Sequence, residues 1–315
     1  YDDKTARLWR IDGAEPVTFK GHEAWVSSAA LSPDLKKVVT ASFDKTARVF
    51  SADGKGEPVI LTGHEAEVRD AAFSPDGTRV VTASEDKTAR IFRADGGGEP
   101  VILKGHEDWL SSAAWSPDGS RVVTTSWDRT ARVFRADGSG APVVLSGHGG
   151  EINMAAFSPD GTRVVTASED GLIRIFSADG TGNPIVLRFH EAGVLYAAWS
   201  PDGKRIATSA SDKTVCIFSA DGKGLPIILE TQAPIIAMTF MGGGQELVAV
   251  GSDNTPRSWL IDVSELNKRL AEAHADCLPP LLRSVYLGED ADKADARYAE
   301  CERSYQREPV LMETR

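Results

Sequence analysis

Residues 63–104 read GHEAEVRDAAFSPDGTRVVTASEDKTARIFRADGGGEPVILK. Residues 67–73 alternate well enough for a strand, and Ser74-Pro75-Asp76-Gly77 supplies a hairpin turn. A β-branched second strand follows at 79–84, and Glu85-Asp86-Lys87 reverses the chain again. Residues 88–92 make a third strand, and the glycines of 94–98 supply the positive φ of the next turn. Residues 100–103 are a short fourth strand, with Pro100 at the first position, where a missing N–H costs least. The reading is one small antiparallel sheet.

The sheet recurs. His22, His64, His106, His148 and His190 fall 42 residues apart, and four of the five follow a glycine. A period near this length marks a propeller blade, a unit that buries its faces only by stacking on its neighbours. Complete units begin at Gly21, Gly63, Gly105, Gly147 and Phe189, and a degenerate sixth begins at Thr231. Ahead of Gly21, residues 1–9 match a third strand and 16–20 a fourth. The expectation is an all-β propeller over 1–262 that continues a longer array, with its first blade truncated. Seven blades are expected if upstream strands complete that blade, with six or an incomplete ring as alternatives.

Past Trp259 the β-branched alternation stops, and 263–315 read as a helical tail. Ser264 suits the cap of a helix to about His274, with Leu266, Leu270 and Ala273 along one face. Residues 281–287 form a short segment ended by Gly288, and 290–307 a second helix with Tyr298, Cys301 and Tyr305 on one face.

The chain has 315 residues, 41% of them hydrophobic, and a formal charge of -11. Nucleic acid, which needs a basic stripe, is excluded as the expected partner. No apolar run approaches the length of a membrane span. Cys216, Cys277 and Cys301 are too few for a disulfide framework, so a reducing cytoplasm is expected, with Cys277 and Cys301 as thiols or a bridge in the tail. Any targeting signal would precede Tyr1.

The Gly-His pair, the Ser-Pro-Asp-Gly turn and the Asp-Lys-Thr-Ala-Arg-Val-Phe strand resemble the WD-repeat (WD40) β-propeller family. The departure is at the namesake tryptophan: Trp9 and Trp259 hold its place at the two ends, but Phe50, Phe92, Phe134, Phe176 and Phe218 between them. The resemblance implies a buried His–Asp–Thr network in each blade. That network joins His22 to Asp44 and Thr40, His64 to Asp86 and Thr82, and His106 to Asp128 and Thr124. It likewise joins His148 to Asp170 and Thr166, and His190 to Asp212 and Thr208. Phenylalanine has no N–H, so the indole's link is absent in these blades and forgoes about 0.5–1.5 kcal/mol each. The sixth unit has Gln232, Ala249 and Asp253 in those places, and its network is mostly gone.

Threonine, histidine and aspartate together suggest a nucleophile, base and orienter, but here they recur once per blade, which suits a scaffold better than an enzyme. Histidines spread around a ring cannot converge on one metal ion. The Asp-Gly turns superficially resemble calcium loops without the alternating ligands. No cofactor is expected. Six arginines four residues after the turn Asp (Arg7, Arg48, Arg90, Arg132, Arg174, Arg257) read as packing between blades beside an acidic neighbour, with Cys216 in the fifth place.

The family resemblance implies docking on the top face, built from the residue before the turn Asp and from the start of the inner strand. Those positions hold Trp25 and Phe43, Glu67, Arg69 and Glu85, Trp109 and Trp127, and Glu151 and Glu169. Aromatic units one and three alternate with acidic units two and four, which suits a peptide carrying Lys or Arg among apolar residues. The expected function is a non-catalytic interaction scaffold within a larger, bacterial-type signalling polypeptide. Its upstream domain would by analogy be a Ser/Thr kinase or a STAND-type NTPase. An enzyme with a central-channel site is the lesser alternative, because no convergent inward-facing titratable residues break the repeat.

Overall fold

A computed structural model of the chain describes residues 3–9, 15–261 and 291–304. The expected helix at 264–274, the segment at 281–287, Cys277 and Tyr305 lie outside the described residues, as does the side chain of Cys301. The chain divides into two units, Tyr1–Trp259 and Leu260–Arg315. In the second, the described residues beyond 261 are one helix, Ala291–Ser304. Among the described residues no helix is long and apolar enough to cross a membrane.

The first unit is all β. Seven antiparallel sheets follow in chain order, five of them four-stranded. The first has two strands, Ala6–Leu8 and Val17–Phe19, and the last has three, from Ile235–Met241 to Pro256–Leu260. In the blade opened by Gly63 the strands are Val68–Phe73, Arg79–Ser84, Ala89–Arg93 and Val101–Leu103. Its Ser-Pro-Asp-Gly turn closes by Gly77 N–H donating to Ser74 C=O at 2.8 Å, while Asp76 accepts the Ser74 hydroxyl at 2.6 Å. Gly77 takes the left-handed φ of 69° that this turn requires.

Alternation dictates the packing. The second strand of each four-stranded blade is buried along nearly its whole length, so both of its faces read as core. The cores lie between blades: Val39, Ala41, Val49 and Leu61 of one meet Val68, Ala71, Val80 and Phe92 of the next. Each fully buried Val or Leu contributes about 1.5–3 kcal/mol.

Two features of this frame place the side chains at the two ends of the blades. The inner strand carries a β-bulge just after its first residue, at Ser27, Arg69, Ser111, Asn153, Leu195 and Ile236. A bulge adds an unpaired residue and re-aims its side chain. At the opposite end, the arginine opening the second strand reaches the turn of the following blade. Arg79 donates to Gly119 C=O at 2.8 Å, Arg121 to Gly161 C=O at 2.7 Å, and Arg205 to Gly244 C=O at 2.6 Å. Each lies over an aromatic ring of that blade, as Arg79 does on Trp115, and Arg163 repeats the arrangement on Trp199.

Candidate interaction face

The histidine network sits at the end of each blade where the inner strand begins. Nδ1 of His22, His64, His106, His148 and His190 lies 2.7–3.1 Å from the turn aspartate of its unit. Nε2 lies 2.7–2.8 Å from Thr40, Thr82, Thr124, Thr166 and Thr208 in the same order. Burial lowers the pKa of His22, His148 and His190 despite the neighbouring carboxylates. In the neutral ring Nδ1–H donates to aspartate, and Nε2 accepts the threonine O–H. Burial alone would raise the Asp44 carboxyl, but hydrogen bonds from Thr46, Glu23 N–H and His22 outweigh it and bring it to about 2. The network ties the loop before the inner strand to the turn between the second and third strands. Among the described residues no three His, Cys, Asp or Glu side chains converge as a metal site.

The arginines after the turn Asp sit beside the acidic neighbour in several units and, in three of them, against the glycine that opens the unit. Arg48, Arg90 and Arg132 each lie beneath the glycine that opens their own unit. A Cβ on Gly21, Gly63 or Gly105 would fall 2.6–2.7 Å from the guanidinium of Arg48, Arg90 or Arg132, and these glycines hold φ of 124–139°. Acidic pairing is present but uneven: Arg174 lies 3.6 Å from Asp170 and Arg90 3.9 Å from Asp86. Among the described residues, the buried Nε atoms of Arg48, Arg90 and Arg132 meet no acceptor.

The positions assigned to the top face lie beside this network. Backbone pairing sets them opposite each other: Phe43 N–H donates to Trp25 C=O at 2.9 Å, Glu85 to Glu67 at 2.9 Å, and Trp127 to Trp109 at 3.0 Å. Side chains placed opposite in this way must meet. The Trp25 and Phe43 rings stack with centroids 6.0 Å apart, and the Trp109 and Trp127 rings meet at a tilt with centroids 4.9 Å apart.

Arg69 joins the two pairs. Its guanidinium carbon lies 5.5 Å from the Phe43 ring centroid, 5.7 Å from Trp109 and 5.3 Å from Trp127. Its Nε donates to Glu85 at 2.6 Å. Six of the nine positions, from three successive blades, thus form one patch: Trp25, Phe43, Arg69, Glu85, Trp109 and Trp127. Trp25 stays 53% exposed and Trp109 36%. Glu169 is engaged elsewhere, accepting Asn153 Nδ2–H at 2.7 Å and filling the space left by Gly193. Glu67 and Glu151 are half-buried, and their carboxylates form no ion pair among the described residues.

Sequence reasoning placed Arg69 on the face but did not see it as the hub. The signal was the variation at the bulge position itself, Ser27, Arg69, Ser111 and Asn153.

The inner strands line a channel of about 810 Å³. Two titratable groups that break the repeat, Asp70 and Tyr196, line it. Asp70 accepts the Ser28 hydroxyl at 2.8 Å and backbone N–H groups of Ala71 and Ala113 at 2.9 and 3.2 Å, so its carboxylate stitches three inner strands together. Burial and the Asp70 charge push the Tyr196 hydroxyl pKa up.

Stacked sheets, five of them fixed by one internal network each, with variable residues gathered at one end, define a repeat propeller suited to holding other proteins. A family model described as WD domain, G-beta repeat matches residues 13–51, 57–93, 98–135, 142–177 and 184–219, more than half of the chain. The chain belongs to the WD40 family, whose propellers serve in general as protein-interaction scaffolds. Each match ends with the third strand of a blade, so the family's unit straddles two sheets. No curated protein matches the chain.

Proposed function

We propose that this propeller is a non-catalytic docking module whose partner binds the aromatic patch around Arg69. The observation that carries this reading is the convergence of Phe43, Trp109 and Trp127 on one guanidinium from a neighbouring blade. Partly exposed Trp and Arg are the usual anchors of interfaces, and Arg69 and Glu85 neutralise each other, so the patch can be covered by apolar groups without stranding a charge. The partner is a peptide that lays an apolar side chain on Trp25 and Trp109 and turns Lys or Arg toward Glu67 and Glu151.

Selection of displayed random peptides on the pure chain tests this. Selected peptides should be rich in aromatic and basic residues. They should lose at least about tenfold in affinity for a Trp25→Ala, Trp109→Ala, Trp127→Ala variant that keeps its β circular dichroism. Equal affinity for that variant removes this face from the function.

A further inference from the structure

At the far end of the blades, where the Ser-Pro-Asp-Gly turns lie, the repeat breaks its symmetry in charge. Lys37, Arg79, Arg121, Arg163 and Arg205 open the second strands, directly opposite Ser51, Arg93, Arg135, Ser177 and Ser219 on the third. In three blades a cation faces serine, but in two it faces another arginine. Like charges directly opposite on an antiparallel pair are destabilising. Folding does not require them, because three blades of the same register use serine.

The two arginine pairs differ in how they are relieved. Arg93 donates to Asp95 through Nε at 3.0 Å and through its terminal N–H at 2.6 Å. Arg135 is exposed and forms no ion pair among the described residues, while Asp137 accepts Ser139 N–H at 2.9 Å. Arg163 donates to two carbonyls, Gly203 and Ala220, both at 3.0 Å. Arg79 and Arg121 each have one such bond and lie on cavities with N–H groups to spare. One cavity of about 510 Å³ is lined by Arg79, Ser120, Arg121, Arg135 and Asp137. The next, of about 520 Å³, is lined by Lys37, Thr78, Arg79, Arg93 and Asp95. The turn residues Asp76 and Asp118 are held by the hydroxyls of Ser74 and Ser116. Five cations against two carboxylates therefore line two adjoining cavities on a chain whose formal charge is -11.

We infer that these cavities form a groove for an acidic peptide segment of a partner, with successive Asp or Glu carboxylates pairing with Arg135, Arg121 and Arg79. The guanidinium fork matches a carboxylate with two parallel hydrogen bonds. Two cavities sharing Arg79 fit a run of carboxylates better than one small anion. A bound carboxylate relieves the Arg121–Arg135 opposition further than the nearby Asp118 and Asp137 do. This groove lies at the opposite end of the blades from the aromatic patch and does not depend on it.

Fluorescein-labelled hexaglutamate, followed by anisotropy on the full chain at about 50 mM salt, is the probe. Saturable binding should weaken at least about tenfold in Arg135→Ser, which installs the residue three sister blades already carry, and further when Arg93→Ser is added. The melting temperature of Arg135→Ser should stay level or rise, and Trp25→Ala with Trp109→Ala should leave the binding unchanged. The proposal is overturned by no saturable binding, by equal affinity in Arg135→Ser, or by a melting temperature that falls, which would make Arg135 a folding residue. Full displacement by inorganic phosphate at equal concentration would also overturn it, reassigning the cavities to a small anion.

Discussion

Glycine at the start of four units and arginine four places after the turn Asp are two halves of one device. A guanidinium is packed so closely under Gly21, Gly63 and Gly105 that no Cβ fits. The fifth unit changes both halves together, with Phe189 in place of glycine and Cys216 in place of arginine. Phe189 is absent from the positive-φ positions, and Cys216 is fully buried, its thiol pushed up to about 11 by burial. Restoring one half alone should therefore fail. Cys216→Arg should destabilise the chain by about 1–3 kcal/mol through overpacking against Phe189. Adding Phe189→Gly should recover most of that, giving a coupling of about 1 kcal/mol or more in a urea-denaturation cycle. Strict additivity of the two would show that the sites are unrelated.

At the scale of the element, the strands were legible because their limits are written locally. Ser74-Pro75-Asp76-Gly77 ends one strand at Phe73 and starts the next at Arg79, as the sequence indicated. The bulge at Arg69 was not legible: it depends on Val68 pairing with Ser84 while Asp70 pairs with Ala83, and no residue type announces that register. Nor was the reach of Arg79 to Gly119, since its partner lies in the following blade. For the same reason sequence pattern could name Trp109 and Arg69 as candidates but could not gather them into one patch. The arginine clamp also explains an irregularity. The first four-stranded blade has Lys37 where four others have arginine, yet the neighbouring turn offers Gly77, and both line one cavity. Lys37 faces Ser51, so an added guanidinium meets no like charge. Lys37→Arg should gain a charge-assisted bond to the Gly77 carbonyl and raise stability by about 0.5–1.5 kcal/mol. Calorimetric melting decides it, and a lowered midpoint would mean that the clamp is not transferable between blades.

For the whole unit, repetition turns a small local preference into a property of the molecule. One buried histidine held neutral is a minor effect, but the network recurs in five blades. His22, His148 and His190 have pKa values lowered below the ordinary 6.5. A depressed pKa means that the unfolded chain takes up protons first as pH falls. Their contribution is therefore complete above about pH 6.5 and erodes below it, by up to about 1.4 kcal/mol per pH unit for each histidine. The turn aspartates act in the same direction at lower pH. Asp44 is ordinarily 3.8 but about 2 when folded, so its stabilisation is present above 3.8 and is lost as pH falls toward 2. Both sets make acid the destabilising direction, with the first losses near neutrality. Urea midpoints should hold nearly level from pH 7.5 to about 6.5 and fall from there to pH 5.5, and His148→Asn should flatten the slope because one titrating group is gone. A midpoint that held level, or climbed, across that interval would mean that the rings are already protonated in the folded protein. In that case Nε2–H of these three rings would donate to the threonine hydroxyls, while Nδ1–H would still donate to aspartate.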